Sequence, residues 1–167
     1  MYVRYVCVWL CLLLCAVLFL SCGGRSDPTA EILSELEQVA GALPAGERYY
    51  SGAEDGGEGA MPSDLRDALY GAESEEIFAT VEEYAIYLSS AAKPYEIAVL
   101  RCYSATDAHR VTQACLERRE TLRVALRGTE WETLARDSVV LCRGRDVLLC
   151  MSDRARSVEE RAGRLLG

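Results

Sequence analysis

The chain of 167 residues is poor in the side chains on which much protein chemistry is built: it holds one His, one Lys, two Phe and two Trp. A single His, His109, excludes most metal and triad chemistry, because both need a positioned second group. Basic residues are scarce as well. Against 18 Lys and Arg stand 26 Asp and Glu, a net charge of −8, and a protein that binds phosphates must release counterions with clustered bases, so nucleic acid is excluded as a partner. No C-x-x-C occurs, which removes the thioredoxin motif and the zinc knuckle. The chain is also not short of apolar residues: at 50% hydrophobic it is neither a disordered acidic tail nor a collagen-like or mucin-like chain. Its length suits one modest domain.

What is there begins with an address. Arg4 is followed by the run from Val6 to Leu20, which carries no charge. That run is shorter than the roughly 20 residues a spanning helix needs, which favours a signal segment over a permanent anchor. Its end, Phe19-Leu20-Ser21-Cys22-Gly23-Gly24, resembles the bacterial lipobox, in which a small residue precedes a Cys that is diacylated and becomes the new N-terminus. Phe19 stands where that pattern usually has Leu. The reading is a lipoprotein signal peptide over 1–21, lipidation at Cys22, a polar glycine-containing tether over 22–28, and one domain over 29–167. Removing 1–21 takes away one base and no acid, so the exported part is more acidic still and is repelled by anionic headgroups. Attachment to the membrane then comes from the acyl chains.

Within the domain, Thr29 is placed to cap a helix whose apolar residues Ile32, Leu33, Leu36, Val39, Ala40 and Leu43 recur at helical spacing until Pro44 and Gly46. The glycine- and acid-rich stretch 52–59 lacks the alternating oxygens of a calcium loop and reads as a solvated connection. A short helix is expected from Pro62 to Tyr70, ended by Gly71. From Val81 the period shifts to two. Strands are expected over 84–88 and 97–100, forming a hairpin. A capping box at Ser104 to Asp107 then opens a long helix over 105–127 with Val111, Cys115, Leu122 and Leu126 on one face. A second hairpin over 138–142 and 147–151 turns at Arg143-Gly144-Arg145-Asp146, and a helix over 158–166 closes the chain. The expected fold is α+β: a four-stranded antiparallel sheet in ββαββα order with helices on one face, preceded by two N-terminal helices. No repeat is visible in the residues, although the two ββα halves suit a structural one.

Few residues suggest chemistry. Ser90-Ala91-Ala92-Lys93 spells the S-x-x-K of penicillin-binding enzymes, yet Pro94 follows Lys93 and disfavours the helix that motif requires, and no K-T-G occurs. His109 falls in the first turn of the long helix and reads as a surface residue. The adjacent acids Glu75-Glu76 and Glu82-Glu83 point to opposite faces if extended, which does not make a glycosidase pair. Cys102, Cys115, Cys142 and Cys150 fall in strands or on an apolar helix face, where a free Cys behaves as a small hydrophobe. Export also permits disulfides, with Cys102 to Cys115 and Cys142 to Cys150 as conceivable pairs. Glu96 and Arg118 are charges beside apolar faces, so they either pair internally or present themselves to a ligand in a groove between helix and sheet.

The succession Leu69-Tyr70-Gly71, Val81 through Tyr87, Glu96-Ile97-Ala98-Val99, Leu116 through Arg119 and Gly144 to Met151 resembles small lipoproteins of Gram-positive bacteria that carry domain of unknown function 4358. The chain departs from that pattern in its four body Cys and in Arg replacing nearly all Lys. The resemblance implies an envelope lipoprotein and no activity. Together the residues lead to the expectation of a non-enzymatic lipoprotein on the extracytoplasmic face of the cell membrane. It would use no cofactor and bind an envelope protein or small ligand, with Glu96 and Arg118 as candidate contacts. The alternative is an envelope hydrolase or thiol enzyme using Ser90 with Lys93, or one of the four Cys.

Overall fold

The computed structural model describes residues 28–54, 56–90 and 93–167; the expected signal segment, Cys22 and most of the expected tether lie outside them. The described chain is α+β. Its elements run α1 (Pro28–Ala40), β1 (Gly46–Tyr50), α2 (Ser63–Tyr70), α3 (Ser74–Phe78), β2 (Val81–Ser89), β3 (Glu96–Cys102), α4 (Ala105–Ala125), α5 (Glu132–Arg136), β4 (Val139–Arg143), β5 (Asp146–Met151) and α6 (Ala155–Leu165). All strand pairs are antiparallel, in the order β1-β2-β3-β5-β4. Among the described residues no helix is long and apolar enough to cross a membrane.

Four expectations need correction. The sheet has five strands, because Gly46–Tyr50 pairs with β2 at the edge. Three helices, not two, precede Val81, since the five-residue α3 follows α2. From Val81 the order is ββααββα, since α5 stands between α4 and β4. Helices cover both faces of the sheet. The reason lies in the central strands: every residue of β5, and every residue of β3 except Arg101, is buried, so an apolar surface faces each way and needs its own cover.

On one face, Ala85, Tyr87, Ile97, Val99, Leu148 and Cys150 lie beneath Leu33, Leu36 and Ala40 of α1 and Ala155, Val158 and Ala162 of α6. On the other, Ile86, Ala98, Leu100, Cys102, Val147 and Leu149 lie beneath Ala108, Val111 and Cys115 of α4, with Tyr70 and Phe78 closing the side. The stripe on α4 is divided between them. Val111 and Cys115 belong to the second core, whereas Leu122 and Leu126 are only partly buried and pack against the first. At 21 residues α4 is about 30 Å long, longer than β3, and its last turns overshoot the end of the sheet.

Local signals account for the boundaries. Ser104 caps α4 by accepting from the Asp107 N–H at 3.1 Å, and its hydroxyl donates to the Asp107 carboxylate at 2.6 Å. Helix α1 is described from Pro28, which has no N–H to leave unpaired in a first turn, and Thr29 lies buried within that helix rather than ahead of it. It ends at Gly41, whose φ of 85° turns the chain before Pro44 is reached. The β4–β5 turn uses Gly144 at φ 55°, a conformation that costs glycine least.

A core this closely shared between strands predicts a sharp contrast between interior and surface. Leu148→Ala, in the middle of β5, should lose about 2–5 kcal/mol in urea unfolding. Val124→Ala, at a residue 65% exposed, should stay within about 0.5 kcal/mol of the parent.

Candidate functional site

The two charges singled out in the sequence meet each other. Glu96 opens β3 and is 0% exposed; Arg118 on α4 is 13% exposed in its side chain. The guanidinium donates to Glu96 Oε2 from Nε at 3.2 Å and from Nη2 at 3.1 Å, and the Tyr70 hydroxyl donates to Oε1 at 3.3 Å. The encounter follows from element lengths. Helix α4 turns back over the sheet after the Ser104 cap, and the 14 residues from Ser104 to Arg118 rise about 21 Å. The strand step from Cys102 back to Glu96 covers nearly the same distance, about 20 Å. Tyr70 arrives as the last residue of α2, where Gly71 at φ 87° ends the helix.

Both carboxylate oxygens are thus engaged from within the chain, and the cluster is closed. Burial, followed by the Glu96 charge, pushes the Tyr70 hydroxyl well above its ordinary ionisation. The same two causes push the Cys115 thiol up. The arrangement holds a charge in a dry interior and joins α2, α4 and β3 at one point.

The four cysteines of the domain are free thiols. Cys142 and Cys150 lie on opposite faces of the sheet, because Cys150 belongs to the first core and Cys142 packs against the second. Burial raises the thiols of Cys102 and Cys150 to about 12, with Asp107 adding at Cys102 and a Ser152 contact opposing at Cys150. Such thiols hold their protons at neutral pH and are weak nucleophiles. Ser90 and Lys93 are exposed in the β2–β3 connection, where the Lys93 N–H donates to the Ser90 carbonyl at 3.1 Å. Ser89, not Ser90, organises that turn, accepting from the Tyr95 N–H at 2.9 Å and donating to the Lys93 carbonyl. His109 is exposed on α4. Among the described residues no group of three His, Cys, Asp or Glu gathers to hold a metal ion.

One surface was not foreseen. An open groove of about 820 Å³ runs between β1 and residues 57–62, lined by Glu47, Arg48, Tyr49, Tyr50 and Pro62 among others. Arg48 is fixed there by Glu37 of α1, with Nε to Oε1 and Nη2 to Oε2 both at 2.9 Å, and its guanidinium lies 5.6 Å from the centre of the Tyr87 ring. The Tyr49 hydroxyl donates to Glu47 at 2.5 Å. The groove therefore carries the half-buried Tyr50 and charges of both signs in its lining. Its one sequence signal is the Tyr49-Tyr50 pair set between Gly46 and the glycine-rich stretch. No family model, no curated protein and no solved structure matches the chain.

The ion pair yields an ordered set of expectations. Arg118→Met strands a buried carboxylate and should cost about 3–5 kcal/mol, while the double change Glu96→Leu with Arg118→Met should recover much of that loss. A thermodynamic cycle from urea unfolding measures the coupling.

The thiols yield a pH dependence. In the unfolded chain they ionise near 9; in the folded state they keep their protons to higher pH. Their contribution is therefore complete below pH 9 and is lost as pH rises towards 12. Stability should fall over that window by about 1.4 kcal/mol per pH unit for each such thiol. Urea unfolding between pH 8 and 11 reads the slope, and Cys150→Ala should make it shallower.

Proposed function

We propose that the chain is a membrane-anchored lipoprotein of the extracytoplasmic face, held by acyl chains on Cys22, and that its domain binds a protein partner or small ligand without catalysing a reaction. The observation that carries this reading is the succession of Arg4, the charge-free run Val6 to Leu20, and Ser21-Cys22 just ahead of a folded domain. Five residues lie between Cys22 and Pro28, a span of at most roughly 20 Å, so lipidation would hold the domain close to the membrane surface. The net negative charge leaves attachment to the lipid. The residue pattern resembling domain of unknown function 4358 agrees with this placement.

A binding role is supported by the way the polar groups of the interior are used. Glu96, Arg118 and Tyr70 bind one another, and the raised thiols disfavour a thiol enzyme. The β1 groove, with exposed Arg48 and half-buried Tyr50 in its lining, offers a docking place that the closed Glu96–Arg118 pair does not.

Metabolic labelling with palmitate tests the anchor. The parent chain should be labelled and recovered with membranes, and Cys22→Ser should lose both the label and the membrane fraction. Label retained by Cys22→Ser overturns the reading. Iodoacetamide at neutral pH tests the absence of an activated thiol: Cys102, Cys115 and Cys150 should react only after denaturation, and rapid labelling of any of them in the folded chain would favour a thiol enzyme.

A further inference from the structure

We infer that β4 is the contact strand of a homodimer, in which two copies of the chain pair β4 to β4 antiparallel about a two-fold axis at Leu141 and join their sheets into one of ten strands. The inference starts from which backbone groups the ladder consumes. The Cys102 N–H donates to the Arg145 carbonyl at 2.8 Å, so on β5 residues 145, 147, 149 and 151 face β3, and residues 146, 148 and 150 face β4. Through the register, Arg143, Leu141 and Val139 turn their N–H and C=O groups inward to Asp146, Leu148 and Cys150. Val140 and Cys142 turn theirs outward. As the last strand in the sheet, β4 has no neighbour on that side, and among the described residues these outward groups take no partner.

The two edges of the sheet are treated differently. On β1 the outward residues are Gly46, Arg48 and Tyr50. Tyr50 is occupied by its own loop, donating to the Gly59 carbonyl at 2.8 Å and accepting from the Ala53 N–H at 3.2 Å, and Glu47 and Arg48 set exposed charges on the strand. On β4, the sequence Val139-Val140-Leu141-Cys142-Arg143 has no Pro, no Lys and no bulge, and its three central residues are all apolar and half-buried. Such an edge is a template for another strand.

Charge identifies that strand as a second copy. Arg143 ends β4, is exposed, and makes no ion pair among the described residues; Asp137, two residues before the strand's first residue, is also exposed and holds a surface ion pair with its neighbour Arg136 at 3.1 Å. An antiparallel two-fold at Leu141 sets residue 143 opposite residue 139 of the second copy, and so brings Arg143 to the end of the strand where Asp137 of the second copy lies. The match occurs twice by symmetry. In this register Val140 and Cys142 exchange their outward N–H and C=O groups with Cys142 and Val140 of the second copy, forming four hydrogen bonds. The contact is isologous and closes at two copies.

The full chain, solubilised in a mild detergent, serves for the test. Sedimentation should give a protein mass of two copies. Leu141 on the axis forms a pair without ladder hydrogen bonds, whose Cα atoms lie about 4.5 Å apart, within the range a disulfide spans. Under mild oxidation Leu141→Cys should therefore give a linked dimer beyond anything seen with the parent, while Arg143→Cys, opposite residue 139, should not. Asp137→Arg and Arg143→Asp should each weaken dimerisation roughly tenfold, and the two together should restore it. These exposed changes leave both cores untouched, so they remain informative if Leu141→Cys folds poorly. A monomeric parent, equal linking of Leu141→Cys and Arg143→Cys, or charge reversals without effect would each overturn the inference. Capture of an acidic peptide by a monomeric parent would show that β4 accepts a different strand and would overturn it equally.

Discussion

The pairing of β3 with β5 carries the rest of the molecule. Six register pairs join Glu96–Arg101 to Asp146–Met151, and nearly every side chain on both strands is apolar and out of water. A two-sided sheet of this kind is not stable with one cover, because each uncovered face leaves several Val, Leu and Ile side chains in water at about 25 cal/mol for each Å² of apolar surface. Helices α1 and α6 meet one requirement, and α4 with α2 and α3 the other. The two covers use different parts of the chain. One joins the first and last helices of the domain, with Arg161 of α6 bonded to Glu35 of α1; the other is built from the middle.

Polar groups are admitted to this interior where the geometry can satisfy them. Glu96 sits within the sheet because Arg118 and Tyr70 reach both its oxygens. Asp146, also buried, receives Arg101 Nε at 2.7 Å, Arg101 Nη2 at 3.3 Å and the Gly167 N–H at 3.2 Å. Each acid stands at an end of one of the two central strands, and each is met by an Arg. The prevalence of Arg over Lys suits this use, since a planar guanidinium offers several donors in fixed directions.

How much of this was legible in the residues follows from how strongly each element was marked. The α4 cap at Ser104 and Asp107, the Gly144 turn, the alternation in β2 and the apolar run of β5 were visible because local chemistry and burial agree there. Strand β1 was not. It spans five residues with Tyr49 alone fully buried, so it shows neither period two nor an apolar run, and its place depends on β2 being there to pair with. The short helices α3 and α5 hold five residues each, too few for a helical period to show. The two-sided cover was half legible: Val147-Leu148-Leu149-Cys150-Met151 is apolar without alternation, but no local pattern tells which helix returns to which face. Glu96 and Arg118 were recognisable as charges beside apolar faces, and internal pairing was one of two readings. Only the antiparallel return of α4 over β3 decides that they meet. The β1 groove had almost no signal, since it forms between a strand and a loop that are each polar.

The position of α6 has a consequence for the order in which the domain can be completed. Synthesis delivers a chain from its N-terminus, so α1 and the strands β1 to β5 emerge before residues 155–165 do. Until then α1 has the sheet but lacks its neighbour, and Leu148, Cys150 and Val139 lie under an unfinished roof. Fully apolar strands waiting in that condition are prone to pair with other chains. The last eleven residues of helix thus act as a closing step: a chain halted before Ala155 would hold every strand of its sheet and still present a sticky face to the machinery that handles it. Quality control that senses exposed apolar surface would read the arrival of α6 as the sign that this face of the sheet is covered.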